Sequence, residues 1–215
     1  MNGHPAPRGA HRPFSILHVC VGNICRSVMA ERLTRLEVQN RFGARANRVQ
    51  VSSAGTRAQP GAAMHPYTAA ALRARGADPD HYAARRLAVD LIADADVILT
   101  ATATERDDVL SMAPGALDRT FTLLEFARLA VHLPPAGPSE RFQPRAVVST
   151  ALGMRWRTTP GTRGSDDIVD PRRTPEAFHQ CAAVVADALR RTMAALAPPV
   201  APYERDKSRR SPVSG

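Results

Sequence analysis

One short stretch of the sequence places a nucleophile close to a cation that can bind an oxyanion. Cys20 is followed six positions later by Arg26, and Ser27 comes directly after the arginine. The guanidinium of an arginine is a planar fork that binds two phosphoryl oxygens at once. The hydroxyl of Ser27 can donate a hydrogen bond to the cysteine sulfur. Together these residue types predict a thiolate that attacks a phosphoryl group.

The five residues between Cys20 and Arg26 suit a loop that binds phosphate. Gly22 permits close approach of the backbone to a ligand, and Asn23 tolerates a left-handed conformation better than most residues. A loop between the end of a strand and the start of a helix points backbone N–H groups inward, and the helix dipole adds positive potential. The same positive surroundings favour the thiolate form of Cys20. The predicted phosphate-binding residues are therefore Val21, Gly22, Asn23, Ile24, Cys25 and Arg26.

The elements that must position this loop are visible as short apolar runs that alternate with longer amphipathic stretches. The predicted strands are Phe14–Val19, Val49–Val51, Val97–Leu99 and Phe121–Leu124. Strands that alternate with helices form parallel sheets. The sequence therefore predicts an α/β fold, a three-layer sandwich around a central four-stranded parallel sheet. The loop after the first strand lies at the carboxyl end of that sheet, where such folds bind ligands.

Two of the predicted helices carry apolar residues along one face, at the spacing of an amphipathic helix. The first stripe consists of Met29, Leu33, Leu36 and Phe42. The last stripe consists of Phe178, Cys181, Val185, Leu189, Met193 and Leu196. Each helix is expected to pack this face against the sheet, and a buried, inert thiol is the preferred interpretation of Cys181.

The domain is expected to cover residues 14–197, flanked by disordered tails at 1–13 and 198–215, which are rich in proline and lack apolar periodicity. Residues 130–164 interrupt the alternation of strands and helices and contain the only tryptophan of the chain. We interpret them as an insertion, with a short helix around Val147–Met154. The insertion could lie across the site or form a solvated excursion, and the sequence leaves both interpretations open.

Composition narrows the class of protein. The formal net charge of +9 predicts attraction to anions without identifying them. Aromatic residues make up 5% of the chain and are not interleaved with basic ones, which argues against nucleic-acid binding by base stacking. No apolar run approaches the ~18 residues of a membrane span, and no signal segment precedes the domain, so no membrane partner is expected.

The cysteines and histidines also limit the chemistry. Three scattered cysteines do not form a disulfide framework, which predicts a reducing, cytoplasmic location. His65, His81 and His132 lack the spacing of metal ligands, so neither a metal nor a cofactor is assigned. The sequence assigns no oligomeric state.

Several of these segments resemble the low-molecular-weight protein tyrosine phosphatases of bacterial type. The resemblance covers about 14–129 and 165–197. The segments that carry it are Val19-Cys-Val-Gly-Asn-Ile-Cys-Arg-Ser27, Met29-Ala-Glu31, Val51-Ser-Ser-Ala-Gly-Thr56, Ala69-Ala-Ala-Leu72 with Gly76, and Asp170-Pro171. The resemblance implies that Asp170 is the general acid and that Ser53 steadies the loop residue Asn23. It also implies a reversible protective disulfide between Cys20 and Cys25 under oxidation, although a small loop-filling role for Cys25 is equally compatible with the residues.

Three features depart from this family. Val28 stands where the family often has proline, which costs only local rigidity. Arg172 and Arg173 follow the Asp-Pro pair, where the family usually has one or two aromatic residues that stack on a phosphotyrosyl ring. The insertion at 130–164 has no counterpart in the small members. Trp156 or Tyr67 could replace the missing aromatic wall.

The leading hypothesis is a phosphatase that hydrolyses phosphotyrosine in proteins through a phosphocysteine, with Cys20, Arg26 and Asp170 as catalytic residues and Ser27 and Ser53 in support. One alternative is a protein that binds phosphorylated partners with weak or no hydrolysis. Another is a thiol-coupled arsenate reductase, which needs two further cysteines on a mobile segment, and residues 77–112 contain none. Nucleic-acid binding through the basic surface is the least favoured alternative and predicts affinity that falls steeply with salt.

Overall fold

A computed structural model of the chain describes residues 12–133, 142–155, 157 and 165–196. The two tails predicted to be disordered lie outside the described residues, except for Arg12 and Pro13, and so does Trp156. The strands are β1 (Phe14–Cys20), β2 (Val49–Gly55), β3 (Val97–Thr100) and β4 (Thr120–Thr122). The helices are α1 (Arg26–Phe42), α2 (Pro66–Arg73), α3 (Val89–Asp94), α4 (Ala103–Met112), α5 (Leu123–Ala130), α6 (Pro144–Met154) and α7 (Pro175–Leu196). Two 3₁₀ segments, Gly43–Arg48 and Pro114–Arg119, lead into β2 and β4.

The four strands are parallel and lie in the order β2-β1-β3-β4. β1 is therefore central, and Cys20 at its carboxyl end pairs in register with Gly55 of β2. Parallel strands all end at the same edge of the sheet, so the loops that follow β1, β2 and β3 come together there. The predicted four-stranded parallel sheet is confirmed.

Helices cover both faces of the sheet and form two separate apolar clusters. One cluster joins the strands to α1, α5 and α7, with Met29, Phe126 and Val185 among its buried members. The other joins them to α3 and α4, with Ile92 and Val109. The strands are buried on both sides, as expected for a parallel sheet. The predicted three-layer sandwich is confirmed, and both predicted apolar stripes pack into the first cluster.

The last strand is shorter than the sequence predicts. The run Phe121–Leu124 was expected to be extended, but β4 ends at Thr122 and the next two residues begin α5. The Thr122 hydroxyl accepts a hydrogen bond from the Glu125 backbone N–H, and the Glu125 carboxylate accepts one from Thr122 N. This capping box fixes the start of a helix, so it overrides the strand preference of the apolar run.

The insertion contributes α6, which contains the predicted helix at 147–154 and begins three residues earlier. Val148 and Ala151 are buried in the first cluster. Arg145 binds Asp96 with Nη2 2.8 Å from Oδ2, and Asp96 directly precedes β3. The amino end of α6 therefore packs at the amino edge of the sheet, while Arg155 after its last turn binds Glu125 at the start of α5, with Nε 2.7 Å from Oε1. The described part of the insertion thus packs against α5 and α7, and residues 134–141, 156 and 158–164 of the insertion lie outside the described residues.

In the part of the chain that the structure describes, no helix combines the length and the apolar character needed to cross a membrane.

Candidate active site

The loop of residues 21–25 joins the end of β1 to the start of α1. Among the described residues, no side chain caps the first turn of α1, and that turn contains no acidic residue. The N–H groups at a helix start have no partner within the helix, and they lie at the positive end of its dipole. The loop therefore lies beside uncompensated positive potential, as a binding site for an oxyanion requires.

Asn23 holds the loop in its curled conformation. Its backbone is left-handed, with φ 54°, and its side chain is fully buried. The side-chain amide donates to Ser27 Oγ at 2.9 Å and to Ser53 Oγ at 2.8 Å, and its oxygen accepts from Arg85 N at 2.8 Å. The Tyr82 hydroxyl donates to the Asn23 carbonyl. Because these partners come from three separate segments, the tertiary structure stabilises a conformation that a free loop would seldom adopt.

A buried carboxylate lies behind this network. Glu31 of α1 is 4% exposed and accepts a hydrogen bond from the Ser53 hydroxyl. Arg35, one turn further along α1, lies 2.5 Å from the other Glu31 oxygen. Glu31 therefore orients the Ser53 hydroxyl so that its lone pairs face the amide of Asn23.

Cys20 and Cys25 occupy different environments, although both belong to the loop. Cys20 is 2% exposed, and its sulfur lies 2.9 Å from Ser27 Oγ and 3.3 Å from Asn23 N. Such donors stabilise negative charge on the sulfur. Burial raises the pKa of the Cys25 thiol to about 11, so that group stays protonated at neutral pH. All three described cysteines are free, and burial in α7 raises the pKa of Cys181 to about 12.

Arg26 is buried and contacts three oxygens from two other segments. Its Nε lies 2.9 Å from Asp170 Oδ1, and its Nη2 lies 3.5 Å from Glu105 Oε1. Its Nη1 donates to the Ile168 carbonyl at 3.3 Å. The N–H of Nε is not aligned for a hydrogen bond with Asp170, so their contact is an ion pair. The fork is thus fixed on one side by Glu105 and Ile168, while its Nε edge faces Asp170.

Glu105 has a role that the sequence did not indicate. Glu105 lies in the first turn of α4, where an acidic residue is common because it stabilises the helix start. Its side chain is nevertheless buried and accepts a hydrogen bond from the Thr102 hydroxyl at the start of that helix. A carboxylate in this position stabilises both the helix start and the guanidinium of Arg26.

The segment that carries Asp170 is tied to the carboxyl edge of the sheet. Ile168 N donates to the Ala101 carbonyl at 2.8 Å, and Asp167 Oδ1 accepts from Ala103 N at 2.8 Å. The Asp170 side chain itself is 63% exposed. The carboxylate can therefore contact both Arg26 and a molecule that enters from solvent.

The glycine required for close approach is Gly55. A Cβ there would lie 2.5 Å from the Val21 carbonyl oxygen and 2.8 Å from Asn23 N, distances that no real Cβ adopts. A Cβ at Gly22 would meet only the side chain of Ile24, at an ordinary contact distance of 3.5 Å. The absence of a side chain at Gly55 therefore lets the end of β2 pack directly against the backbone of the loop.

Exposed apolar side chains surround the entrance to the loop. Val21, Val169 and Tyr67 are 39%, 78% and 37% exposed. Tyr67 lies in the first turn of α2, and this helix start is attached to the loop by the hydrogen bond from His65 N to the Ile24 carbonyl at 3.0 Å. This apolar rim provides a surface for a flat or aliphatic group next to the oxyanion site.

The structure thus places the predicted residues Cys20, Arg26 and Asp170 around one loop, with Ser27 and Ser53 beneath it. Sequence reasoning missed the partners that hold these groups in place, which are Glu31, Gly55, Tyr82, Arg85 and Glu105. Glu31 and Gly55 had a signal, since they belong to the quoted segments Met29-Ala-Glu31 and Val51-Ser-Ser-Ala-Gly-Thr56. In the described part of the chain, no group of three or more His, Cys, Asp or Glu side chains is placed to bind a metal ion.

Comparison with known proteins identifies the family of the chain. A sequence model described as "Low molecular weight phosphotyrosine protein phosphatase" matches residues 15–142, which is more than half of the chain. The chain belongs to this family. The family predicted from the sequence is therefore confirmed, and with it the phosphatase class.

Relatives of this phosphatase family carry two kinds of name. The chain is 31% identical over 117 residues to a "Probable low molecular weight protein-tyrosine-phosphatase EpsP" of Ralstonia nicotianae, and the match covers 54% of this chain and 75% of the relative. It is 35% identical over 114 residues to a "Protein-arginine-phosphatase" of Geobacillus stearothermophilus, with 53% and 72% covered. The family alone therefore leaves a choice between two phosphorylated side chains.

Solved structures of the phosphatase family share the fold. The YwlE arginine phosphatase of Geobacillus stearothermophilus superimposes with a TM-score of 0.59 at 26% identity, covering 83% of this chain and 90% of the other. The Erwinia amylovora tyrosine phosphatase amsI superimposes with a TM-score of 0.61 at 22% identity, covering 89% and 98%. The second likeness supports the fold alone.

Proposed function

We propose that this chain hydrolyses phosphotyrosine in proteins through a phosphocysteine intermediate, with Cys20 as nucleophile, Arg26 as the phosphoryl-binding cation and Asp170 as general acid and base. What supports the proposal most is that Asp170 comes from a distant segment to the loop that carries Cys20 and Arg26, at the positive end of a helix. The loop residues Val21–Cys25 supply backbone N–H groups to the phosphoryl oxygens, and Ser27 and Ser53 keep the loop in shape.

In the first step, the Cys20 thiolate attacks phosphorus in line with the ester bond. A bond forms between sulfur and phosphorus, the bond from phosphorus to the leaving oxygen breaks, and the protonated carboxyl of Asp170 gives its proton to that oxygen. Arg26 and the backbone N–H groups bind the three remaining oxygens, whose charge they neutralise in the transition state.

In the second step, a water molecule attacks the phosphorus of the phosphocysteine. The Asp170 carboxylate takes a proton from this water, the bond between phosphorus and sulfur breaks, and inorganic phosphate leaves. The hydroxyl of Ser27 lies 2.9 Å from the sulfur and stabilises the thiolate as it is released.

The depth of Cys20 and the apolar rim around the entrance favour an aromatic phosphate ester as substrate. Cys20 is nearly inaccessible from outside, so a phosphoryl group must be carried in on a long side chain, and phosphotyrosine is longer than phosphoserine. Val21, Val169 and Tyr67 offer apolar contact to the ring. The Tyr67 ring packs at 76° and 5.5 Å against Phe178, which holds it in place at the rim.

Phosphoarginine is the competing substrate, because relatives of this chain are named arginine phosphatases. A guanidinium next to the phosphoryl group would need a carboxylate or carbonyl partner at the entrance. Asp170 is an exposed carboxylate at the entrance, but Arg172 and Arg173 follow it and are exposed as well. Their positive charge opposes the positively charged guanidinium of phosphoarginine, so the proposal stays with phosphotyrosine.

The proposed location is the cytoplasm, since a thiolate nucleophile works only while the thiol is reduced. The proposed partner is a phosphotyrosine-containing protein, with neither nucleic acid nor membrane as a second partner.

The test compares wild type with Cys20→Ser and Cys181→Ala on three substrates, phosphotyrosine, phosphoarginine and phosphoserine peptides. We expect wild type to prefer phosphotyrosine and to yield a phosphorylated Cys20 in acid-quenched mass spectrometry. We expect Cys20→Ser to lose turnover, by more than about a thousandfold, because a hydroxyl is a far weaker nucleophile than a thiolate. Cys181→Ala controls for thiol loss elsewhere and should retain activity. Faster turnover of phosphoarginine, or residual activity near wild type in Cys20→Ser, would overturn the proposal.

A further inference from the structure

Three arginines near the entrance differ from most arginines of the chain. Elsewhere, exposed guanidinium groups are commonly paired with carboxylates, as in Arg73 with Asp80. Arg57, Arg172 and Arg173 are exposed, and their side chains make no ion pair or hydrogen bond with any residue that the structure describes. These three positive charges are therefore available to a partner.

The three arginines lie on two sides of the nucleophile. Arg57 follows β2, and its backbone N–H donates to the Val21 carbonyl at 2.9 Å, so it adjoins the loop directly. Arg172 and Arg173 follow Asp170, on the segment tied to Ala101 just after β3. β2 and β3 flank β1 on opposite sides, and Cys20 ends β1. Arg57 and the pair Arg172 and Arg173 therefore belong to two different segments that both border the loop.

The backbone around Arg173 supports a fixed presentation of its neighbours. Arg173 has φ 57°, in the left-handed region that non-glycine residues seldom adopt. The hydrogen bond from Thr174 N to the Arg172 carbonyl, at 2.8 Å, closes a tight turn around it. The turn leads directly into α7, so both guanidinium groups are displayed at the start of a long helix.

We propose that the entrance recognises a phosphotyrosine with acidic residues on both of its sequence flanks, one flank facing Arg57 and the other facing Arg172 and Arg173. The inference rests on the proposed function and specifies its substrate class. Opposite charges at the edge of an interface steer encounter and add modest affinity, while the buried site supplies the chemistry. Acidic residues therefore lower KM more than they raise kcat.

The experiment measures KM and kcat for four phosphotyrosine peptides of equal length, with aspartates before the phosphotyrosine, after it, on both sides, or on neither. The proteins are wild type, Arg57→Ala, the double variant Arg172→Ala/Arg173→Ala, and a control double variant Arg45→Ala/Arg48→Ala. The control arginines are also exposed and unpaired among the described residues, but they lie in the 3₁₀ segment that leads into the amino end of β2. They change net charge without touching the entrance.

In wild type we expect each acidic flank to lower KM about two- to fivefold at low salt, the range of exposed ion pairs. The advantage should disappear at ~0.5 M salt, where the screening length is only a few ångström. Arg57→Ala should abolish the effect of one flank and the double variant that of the other, while the control variant keeps both.

Two outcomes would overturn the inference. One is that the wild-type KM values do not depend on the aspartates. The other is that the control variant loses the preference for acidic peptides as much as the Arg57 and Arg172/Arg173 variants do. Turnover of free phosphotyrosine separates this failure from failure of the proposed function. If wild type hydrolyses free phosphotyrosine and ignores flanking acids, only the inference fails, and if it does not hydrolyse phosphotyrosine at all, the proposed function fails.

Discussion

The Nε of Arg26 lies 2.9 Å from Oδ1 of Asp170. In the proposed reaction the arginine binds oxygens of the phosphoryl group, and the aspartate protonates the oxygen that leaves. These oxygens are attached to one phosphorus atom, so the two side chains must be neighbours. If the Nε–H of the guanidinium binds a phosphoryl oxygen, we expect substrate entry to shift the Asp170 carboxylate from the arginine toward the leaving group.

Asp170→Asn should slow the enzyme in a way that depends on the leaving group. An amide cannot give a proton, so esters with poor leaving groups should lose about a hundredfold or more, the usual range for general acid catalysis. Nitrophenyl phosphate, whose leaving group needs little protonation, should lose far less. Rates across a series of aryl phosphates test this, with Glu176→Gln in the first turn of α7 as a control carboxylate. Equal slowing for all esters would remove Asp170 from the general-acid role.

Glu105→Gln should impair the positioning of Arg26. Removing one partner from a buried ion pair destabilises a protein by about 3 kcal/mol or more. We expect kcat to fall by at least about tenfold, because the fork is no longer fixed on its Glu105 side, and Glu105→Asp to restore part of the loss. Urea unfolding and steady-state kinetics measure both effects. Glu37→Gln, which breaks the solvent-accessible pair with Arg41, should change stability by less than about 1 kcal/mol. A fully active Glu105→Gln variant of lowered stability would make the residue purely structural.

Gly55→Ala should disturb the loop, while Gly22→Ala should leave the fold stable. The added methyl at Gly55 would overlap the Val21 carbonyl and the Asn23 N–H, which are backbone atoms that cannot rotate away. Overpacking of this kind destabilises by about 1–3 kcal/mol, and the displaced loop should lose most of its affinity for inorganic phosphate. Thermal unfolding and phosphate inhibition provide the two measurements. Equal stability of the two variants would show that β2 does not fix the loop.

His18 should make stability depend on pH. Burial lowers the pKa of this imidazole to about 3, so the folded protein holds it neutral while the unfolded chain protonates it near 6.5. Between these values the unfolded state binds one more proton, so stability is complete above about pH 6.5 and falls by about 1.4 kcal/mol per unit on acidification. His18→Gln can keep the contact with Thr34, 3.0 Å away, and should flatten this slope. Urea unfolding of both proteins at a series of pH values from 7 to 4.5 measures how stability changes with pH. Identical slopes for both proteins would show that His18 does not cause the change.

Much of the fold could be predicted because the signal is local. Strands buried on both faces have continuous apolar sequences, and amphipathic helices have apolar residues at helical spacing. These two patterns predicted the parallel sheet and its layers. The end of β4 could not, because Thr122 and Glu125 form a capping box inside an apolar run. The position of α6 could not be predicted either, because its contact through Arg145 is made to Asp96, a residue 49 positions away.

The candidate site also contains residues that the sequence predicted and residues that it did not. Cys20 and Arg26 share a short loop, and their spacing together with the strand, glycine and helix around them indicated their chemistry. Asp170 followed from the resemblance of its Asp-Pro pair to the family. The groups that hold them in place lie far away in sequence. Tyr82 reaches the Asn23 carbonyl across 59 positions, and no local pattern marks a tyrosine in a loop as such a donor. The position of Glu105 in the first turn of α4 already accounts for an acidic residue there, so the sequence did not indicate its contact with Arg26.

Asp96 accepts hydrogen bonds from Arg12, from Arg145 and from the backbone of Ser15, although its own side chain is almost fully buried. The start of β1, the start of β3 and the insertion helix therefore share one carboxylate at the edge of the sheet farthest from Cys20. Mutational tolerance should follow this separation. We expect changes around Arg145 at the start of α6 to alter stability at the amino edge, while selection on substrate choice acts on a different set of residues at the other edge.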